Sequence, residues 1–226
     1  MSLSPSVRQP LAAEVTAKLR EMVHSGEWPL DQRIPPEPEL MATLGVSRGT
    51  LREAVKALAH GGMLEVRRGD GTYVRATSEM SGAARRMYQD HTEQHILEVR
   101  LGLDTQAARL AARNASDDDA TALRALLTAR DRAWNNGNFE AWADADWRFH
   151  EGVARASGNP LLHELYASFG TAFHQDLLKQ QRRPGFNGLP RDGHETLLAA
   201  IEQRDPDAAV ATVNRNLNSC AEWLAE

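Results

Sequence analysis

Residues 39–74, ELMATLGVSRGTLREAVKALAHGGMLEVRRGDGTYV, contain a complete device for presenting one helix and one basic hairpin to a nucleic acid. Leu40, Met41 and Leu44 form an apolar face, and Gly45 supplies the sharp turn that a helix-turn-helix needs between its helices. Ser47 follows as an N-cap. Beyond it Leu51, Val55 and Leu58 recur at helical spacing, while Arg48, Thr50, Arg52 and Lys56 stay off that stripe. The second helix is therefore buried on one side and basic on the other, and its N-terminus directs free N–H groups outward, where phosphate binds. Gly61-Gly62 closes the helix. Met63 to Val66 and Thr72 to Val74 then read as paired strands around the basic turn Arg67-Arg68-Gly69-Asp70-Gly71. A short helix pair and a hairpin are common packing units, and basic runs are usually solvated faces. Here the basic residues coincide with the turn, the cap and the hairpin tip, which favours DNA binding.

This segment resembles the winged-helix head of GntR-type bacterial transcription regulators. The resemblance rests on Pro36-Glu37-Pro38-Glu39-Leu40, Val46-Ser47-Arg48, Leu51-Arg52-Glu53-Ala54 and Gly69-Asp70-Gly71-Thr72, and covers about a third of the chain. It implies DNA contacts at Arg48, Gly49, Thr50, Arg52, Arg68 and Gly69. Ser47, as the cap, and Arg67, as the second wing arginine, complete the expected surface. The chain departs from the family at Pro38, where an arginine commonly opens the second helix. A proline is tolerated in a first helical turn but offers DNA no guanidinium.

The rest of the chain bounds the answer. At 226 residues and 42% hydrophobic composition it can hold two small domains with ordinary cores. No apolar run approaches the roughly twenty residues that a bilayer crossing needs, and the first residues lack a signal-peptide pattern. The single Cys220 fits a reducing compartment, so a cytoplasmic location is expected. The net charge of −5 is an average: residues 1–76 hold ten basic and nine acidic side chains, whereas residues 77–226 hold sixteen and twenty-two. That asymmetry suits a DNA-binding head on an acidic body.

Along the chain, residues 1–9 read as a mobile leader, and Leu11, Val15, Leu19 and Met22-Val23 mark a first helix. Trp28 and Ile34 are expected to pack under the winged helix. Residues 77–90 read as a linker in which Arg85-Arg86 is either loop or short helix. From His91 onward every segment is helical: to Arg113, from the Ser116 cap to Trp134, Phe139 to Ala156, Leu161 to about Gln181, Arg191 to Gln203, and Asp205 to the end, with a Pro/Gly loop at 184–190. The fold class is mainly α. A winged helix-turn-helix over residues 1–76 and a linker over 77–90 precede an antiparallel bundle of about six helices over 91–226.

Inside the bundle Asp146 and His150 stand four residues apart on one helical face, and His194 lies on a later helix, so the three can converge on one ion. The alternative is a salt-bridged core histidine. Arg100 either anchors an effector carboxylate or pairs with Glu98, Asp104 or Asp146. A metal held by these side chains leaves a hydrolase open as a second reading, although no nucleophile elbow or phosphate loop accompanies it; an architectural DNA-binding dimer is a third. Glu98-Val99-Arg100, Asp146-Trp147-Arg148-Phe149-His150, Ser157-Gly158-Asn159-Pro160, His194-Glu195 and Asp205-Pro206-Asp207-Ala208-Ala209 resemble the effector-binding FCD domain of the FadR subfamily of GntR regulators. That resemblance implies a homodimer that binds a double-stranded operator and a small carboxylate or sugar-acid effector, acting as a repressor by family habit. It also implies a divalent metal, zinc, nickel or manganese, at Asp146, His150 and His194. The fourth position, often histidine in the family, is Asn216 here, a harder and weaker donor.

Overall fold

A computed structural model describes residues 10–183, 185–186 and 191–225. The leader expected at 1–9 and most of the loop expected at 184–190 lie outside the described residues. The chain forms two compact units that divide between Met87 and Tyr88. None of the described helices is long and apolar enough to cross a membrane.

In the first unit, α1 (Leu11–His24) buries Val15, Leu19 and Val23, one residue per turn. α2 (Glu37–Leu44) starts behind Pro36 and accepts Pro38 in its first turn, where no backbone N–H is required. Gly45, with φ of 65°, closes it in the left-handed region and donates its N–H to the Met41 carbonyl. α3 (Arg48–His60) buries Leu51, Ala54, Val55 and Leu58 against α1 and α2. The strands β1 (Leu64–Arg67) and β2 (Gly71–Val74) pair antiparallel, with Leu64 opposite Val74 and Arg67 opposite Gly71. Trp28, Ile34, Met63, Leu64 and Val74 join the helices in one core, as expected for Trp28 and Ile34.

Two features of this unit differ from the sequence reading. The connection through Ile34 is not a plain loop: Ile34 N–H donates to the Thr72 carbonyl at 2.9 Å and Val74 N–H donates to the Gln32 carbonyl at 3.0 Å. Residues 32–34 thus lie along the outer edge of β2 like a third strand. Residues 79–90, expected within a linker, form helix α4 (Glu79–Asp90). Its first half packs on the end of α3: a Cβ added at Gly82 would come within 2.3 Å of the Gly61 carbonyl oxygen. Ser81 and Ala84 are buried there, and Arg20 of α1 pairs with Glu79 at 2.6 Å.

The second unit is built from α5 (Glu93–Asn114), α6 (Asp117–Asn135), α7 (Phe139–Ala156), α8 (Pro160–Ser168), α9 (Gly170–Gln181), α10 (Arg191–Glu202) and α11 (Pro206–Ala225). α5 buries an alanine stripe, Ala107, Ala108, Ala111 and Ala112, small enough to admit neighbouring helices closely. It packs on α7 and α11, and α10 closes the bundle against α5, α6 and α11. Ser116 and Asp119 form a complete capping box at the start of α6. The single helix expected from Leu161 to about Gln181 is two. Phe169 N–H bonds back only three residues, to the Tyr166 carbonyl, and Gly170 lies against Trp147, whose ring a Cβ would approach to 2.7 Å. The close ring contact redirects the chain, a tertiary effect that helical periodicity does not record.

Candidate metal centre and nucleic-acid interface

The first unit presents its basic residues at the start of α3 and along the wing. Ser47 Oγ accepts the Thr50 N–H at 3.2 Å, fixing the first turn from which Arg48 and Arg52 project, both well exposed. Each Nε lies 4.0 Å from the Glu37 carboxylate of α2. At the wing the two arginines differ. Arg67 donates to Glu65 at 3.1 Å and lies over the Tyr73 ring at 4.6 Å, while Arg68 sits exposed in the turn with Gly69, whose φ is 77°. Hydrogen bonds from Arg75 and Arg67 hold Glu65 below the usual carboxylate range. A groove of about 410 Å³ is bordered by Arg33, Arg52, Arg67 and Arg68. Arg33 escaped the sequence reading because its place beside β2 depends on strand pairing between distant residues.

In the second unit the bundle brings Asp146, His150 and His194 together. Their potential ligand atoms lie within 4.8 Å of one another. Asp146 Oδ1 is 3.2 Å from His194 Nε2, Asp146 Oδ2 is 3.7 Å from His150 Nε2, and the two imidazole Nε2 atoms are 3.2 Å apart. With Oδ2 as the free oxygen, its 3.7 Å to His150 and the 3.2 Å between the imidazoles bracket the edge of about 3.4 Å that a tetrahedron of donors with bonds of ~2.1 Å would have. Asp146 is fully buried, and its Oδ2 has no hydrogen-bond partner, as a carboxylate oxygen that can take a cation requires. Burial favours its neutral form, yet His194, Arg130 and His150 outweigh that and hold the carboxyl well below its usual range. Burial, with Arg100 nearby, holds His150 well below its usual value, so its imidazole is neutral and can donate a lone pair. The donor set therefore fits a divalent ion.

Asn216 of α11 lies at the same site. It lines a cavity of about 40 Å³ together with Arg100, Asp104, His150, His194 and Cys220. Its amide rests against Gly193, where a Cβ would come within 2.4 Å of the amide atoms. Arg100 also faces this cavity, and its Nε donates to Asp104 Oδ2 at 3.1 Å. Of the partners weighed for Arg100, the ion pair formed is with Asp104; its guanidinium also lies 5.4 Å from the Phe173 ring centre. Burial raises Asp104 despite that arginine.

In the bundle the sequence reading missed Arg130 of α6. It is 3% exposed, donates from Nε to Asp146 Oδ1 at 2.6 Å, and its guanidinium lies 5.3 Å from the Trp142 ring centre. Its separation of sixteen residues from Asp146 crosses a helix hairpin, so no motif spacing announces the pair.

Comparison with known proteins identifies the family of both units. Residues 11–74 match the family described as "Bacterial regulatory proteins, gntR family", and residues 95–219 match the FCD domain. The chain is 30% identical to the HTH-type transcriptional repressor NanR of Citrobacter rodentium, across 98% of this chain and 88% of that protein. It is 27% identical to NanR of Escherichia coli K12, across 98% and 87%. Among solved structures, Streptococcus agalactiae GntR superposes with a TM-score of 0.50 at 26% identity, covering 92% of this chain and 98% of that one. E. coli McbR/YncC gives 0.55 at 21% identity, covering 96% and 98%, a likeness of fold. The family and these relatives are transcription regulators, not enzymes.

Proposed function

The chain belongs to the GntR family of bacterial transcription regulators and carries an FCD domain, and from that premise we propose that it is a homodimeric repressor released from its operator by a small organic acid. In this reading the head reads DNA through Ser47, Arg48, Gly49, Thr50 and Arg52 at the start of α3, and through Arg67, Arg68 and Gly69 at the wing. A dimer presents two copies of α3 to two half-sites about one helical turn apart. The bundle holds a divalent metal at Asp146, His150 and His194, with Asn216 beside it as a weak or water-mediated donor. The ion supplies a Lewis-acidic anchor for a carboxylate. Arg100, on the same cavity wall, steers that carboxylate with its terminal nitrogens while Asp104 fixes its Nε.

The observation that carries this reading is the convergence of three ligand atoms, two imidazole nitrogens and one buried carboxylate oxygen, beside a cavity that His150, His194 and Arg100 line. Metal analysis of protein purified without chelator, followed by zinc, manganese and nickel titration, tests the site. A duplex selected from random DNA by the immobilised protein then serves in a release assay with organic and sugar acids, each with and without metal. Metal-dependent release is the expected result. Failure to bind any of the three metals at saturation would remove the metal from the reading, and failure of every acid to alter DNA binding would leave an architectural dimer.

A further inference from the structure

The outer face of the wing carries a cation that the DNA-reading surface above does not include. Residues 32–34 run along β2, with Arg33 opposite Tyr73 and Tyr73 opposite Glu65. Side chains alternate between the two faces of a sheet, so Ile34, Leu64 and Val74 enter the core while Arg33, Arg67, Gly71 and Tyr73 share the other face. Gly71 is the diagonal neighbour of Arg33, at the end of β2 nearest the turn, and offers no side chain of its own. The Arg33 stem takes that space: a Cβ on Gly71 would overlap Arg33 Nε and stand 2.9 Å from Cζ and 3.0 Å from Cδ. The exposed guanidinium is thereby laid toward the wing tip, where Arg33 borders the same groove as Arg67 and Arg68. The charges nearby leave it free. Arg75 bonds to Asp31 and Glu65, Arg67 bonds to Glu65, and the Tyr73 hydroxyl donates to Asp70 at 3.0 Å. Among the described residues the Arg33 side chain has no hydrogen-bonded or ion-paired partner.

We infer that Arg33 is a phosphate contact of the wing, a guanidinium laid over Gly71 to grip the DNA backbone beside the groove that the wing tip enters. This rests on the DNA reading proposed above and adds to it a residue from the segment before α2. Arg68 and Gly69 occupy the turn itself, whereas Arg33 lies behind them, beside the Arg67–Gly71 pair. A side chain set back from an inserted tip meets the rim of the groove, which is phosphate, before it meets base edges. Because Arg67 is matched by Glu65, the free positive charges of the wing are those of Arg33 and Arg68. Seating the long stem on a glycine also holds it near its bound position, which lowers the ordering cost of the contact. Arg33 is the residue that touches DNA, and Gly71 positions it.

The experiment uses the full chain and a duplex selected by it from random DNA, with affinity read by fluorescence anisotropy over a series of salt concentrations and by competition with mutated duplexes. Arg33→Ala should flatten the plot of log affinity against log salt by about 0.9 unit, equivalent to roughly 8-fold weaker binding at about 0.1 M salt. It should weaken the selected and the mutated duplexes in equal proportion, unlike the loss of a base-reading arginine. Arg33→Lys keeps a charge that phosphate accepts and should retain most of the slope. Gly71→Ala tests the seat while leaving the net charge alone. The atoms it displaces are the end of a flexible side chain, and Gly71 is outside the left-handed region, so the variant should fold. It should nevertheless weaken binding at low salt, by up to the Arg33→Ala factor. In an Arg33→Ala background the same substitution should add nothing, since the side chain it displaces is already gone. A native salt slope in Arg33→Ala would overturn the inference, even if that variant unfolded more readily, because covering the sheet edge would then be the whole role of the side chain. A Gly71→Ala loss of equal size with and without Arg33 would overturn it as well. Native protein that binds no duplex would overturn the DNA reading itself, and this contact with it.

Discussion

The contact between α4 and the end of α3 can be tested by adding a single methyl group. In Gly82→Ala the new Cβ would stand 2.3 Å from the Gly61 carbonyl oxygen and 2.8 Å from the Gly62 carbonyl carbon. Both neighbours are backbone, so neither can rotate aside, and the two segments must separate by roughly 1 Å to reach an ordinary contact. Overpacking of this kind costs about 1–3 kcal/mol, and backbone against backbone belongs at the upper end. Alanine in a helix regains about 0.5–1 kcal/mol over glycine, leaving a net loss near ~2 kcal/mol. For a unit of this size that corresponds to roughly 8–16 °C in the unfolding midpoint. Gly102→Ala in α5 is the control of opposite sign. Nothing lies within 4 Å of its added Cβ, so only the helix gain of about 0.5–1 kcal/mol applies. Scanning calorimetry and urea unfolding of both variants read the difference. A Gly82→Ala protein as stable as the native one would refute the close packing of α4 on the head.

Other expected outcomes follow from single contacts. Ser116→Ala removes the capping box of α6 and should cost about 1 kcal/mol near neutral pH by urea unfolding. Side-chain and backbone hydrogen bonds from Ser116 hold Asp119 below its usual range, so this stabilisation is complete above the unfolded-state value of about 3.9 and fades as pH falls through the lower folded value. The gap between native and variant should therefore narrow in acid. Arg48→Ala should weaken binding to a selected duplex by about 1–3 kcal/mol and relax its sequence preference, as read by competition with mutated duplexes. Arg68→Ala should flatten the plot of log affinity against log salt by roughly one unit. Arg67→Ala should flatten it less, because Arg67 is held by Glu65 and Tyr73.

The elements legible in the sequence are those specified locally. Ser47, Gly45 and the Leu51, Val55, Leu58 stripe mark α3 through capping and periodicity, and the structure places that helix at Arg48–His60. Asp146 and His150 share a face because four residues make about one helical turn. His194 could be brought to them only by naming the bundle, and the structure sets its Nε2 3.2 Å from that of His150. What stayed illegible was specified by distant partners. The pairing of Gln32 and Ile34 with β2 needs a backbone edge forty residues away to be in place. The break between α8 and α9 depends on the Trp147 ring, and the role of Arg130 depends on the way α6 folds back on α7. Composition and period describe single elements, and these three features are properties of pairs.

The seating of Gly82 on Gly61 and Gly62 also bears on how such a regulator can be recombined. A chimaera that kept this head and joined it to a foreign sensor at residue 76, two residues past the wing, would discard Glu79, Ser81, Gly82 and Ala84. That cut would open the shelf formed by the end of α3 and release Arg20 from its partner. A graft that carries α4 through Met87 keeps the shelf covered, so the portable DNA-reading module is longer than its winged helix by most of one further helix.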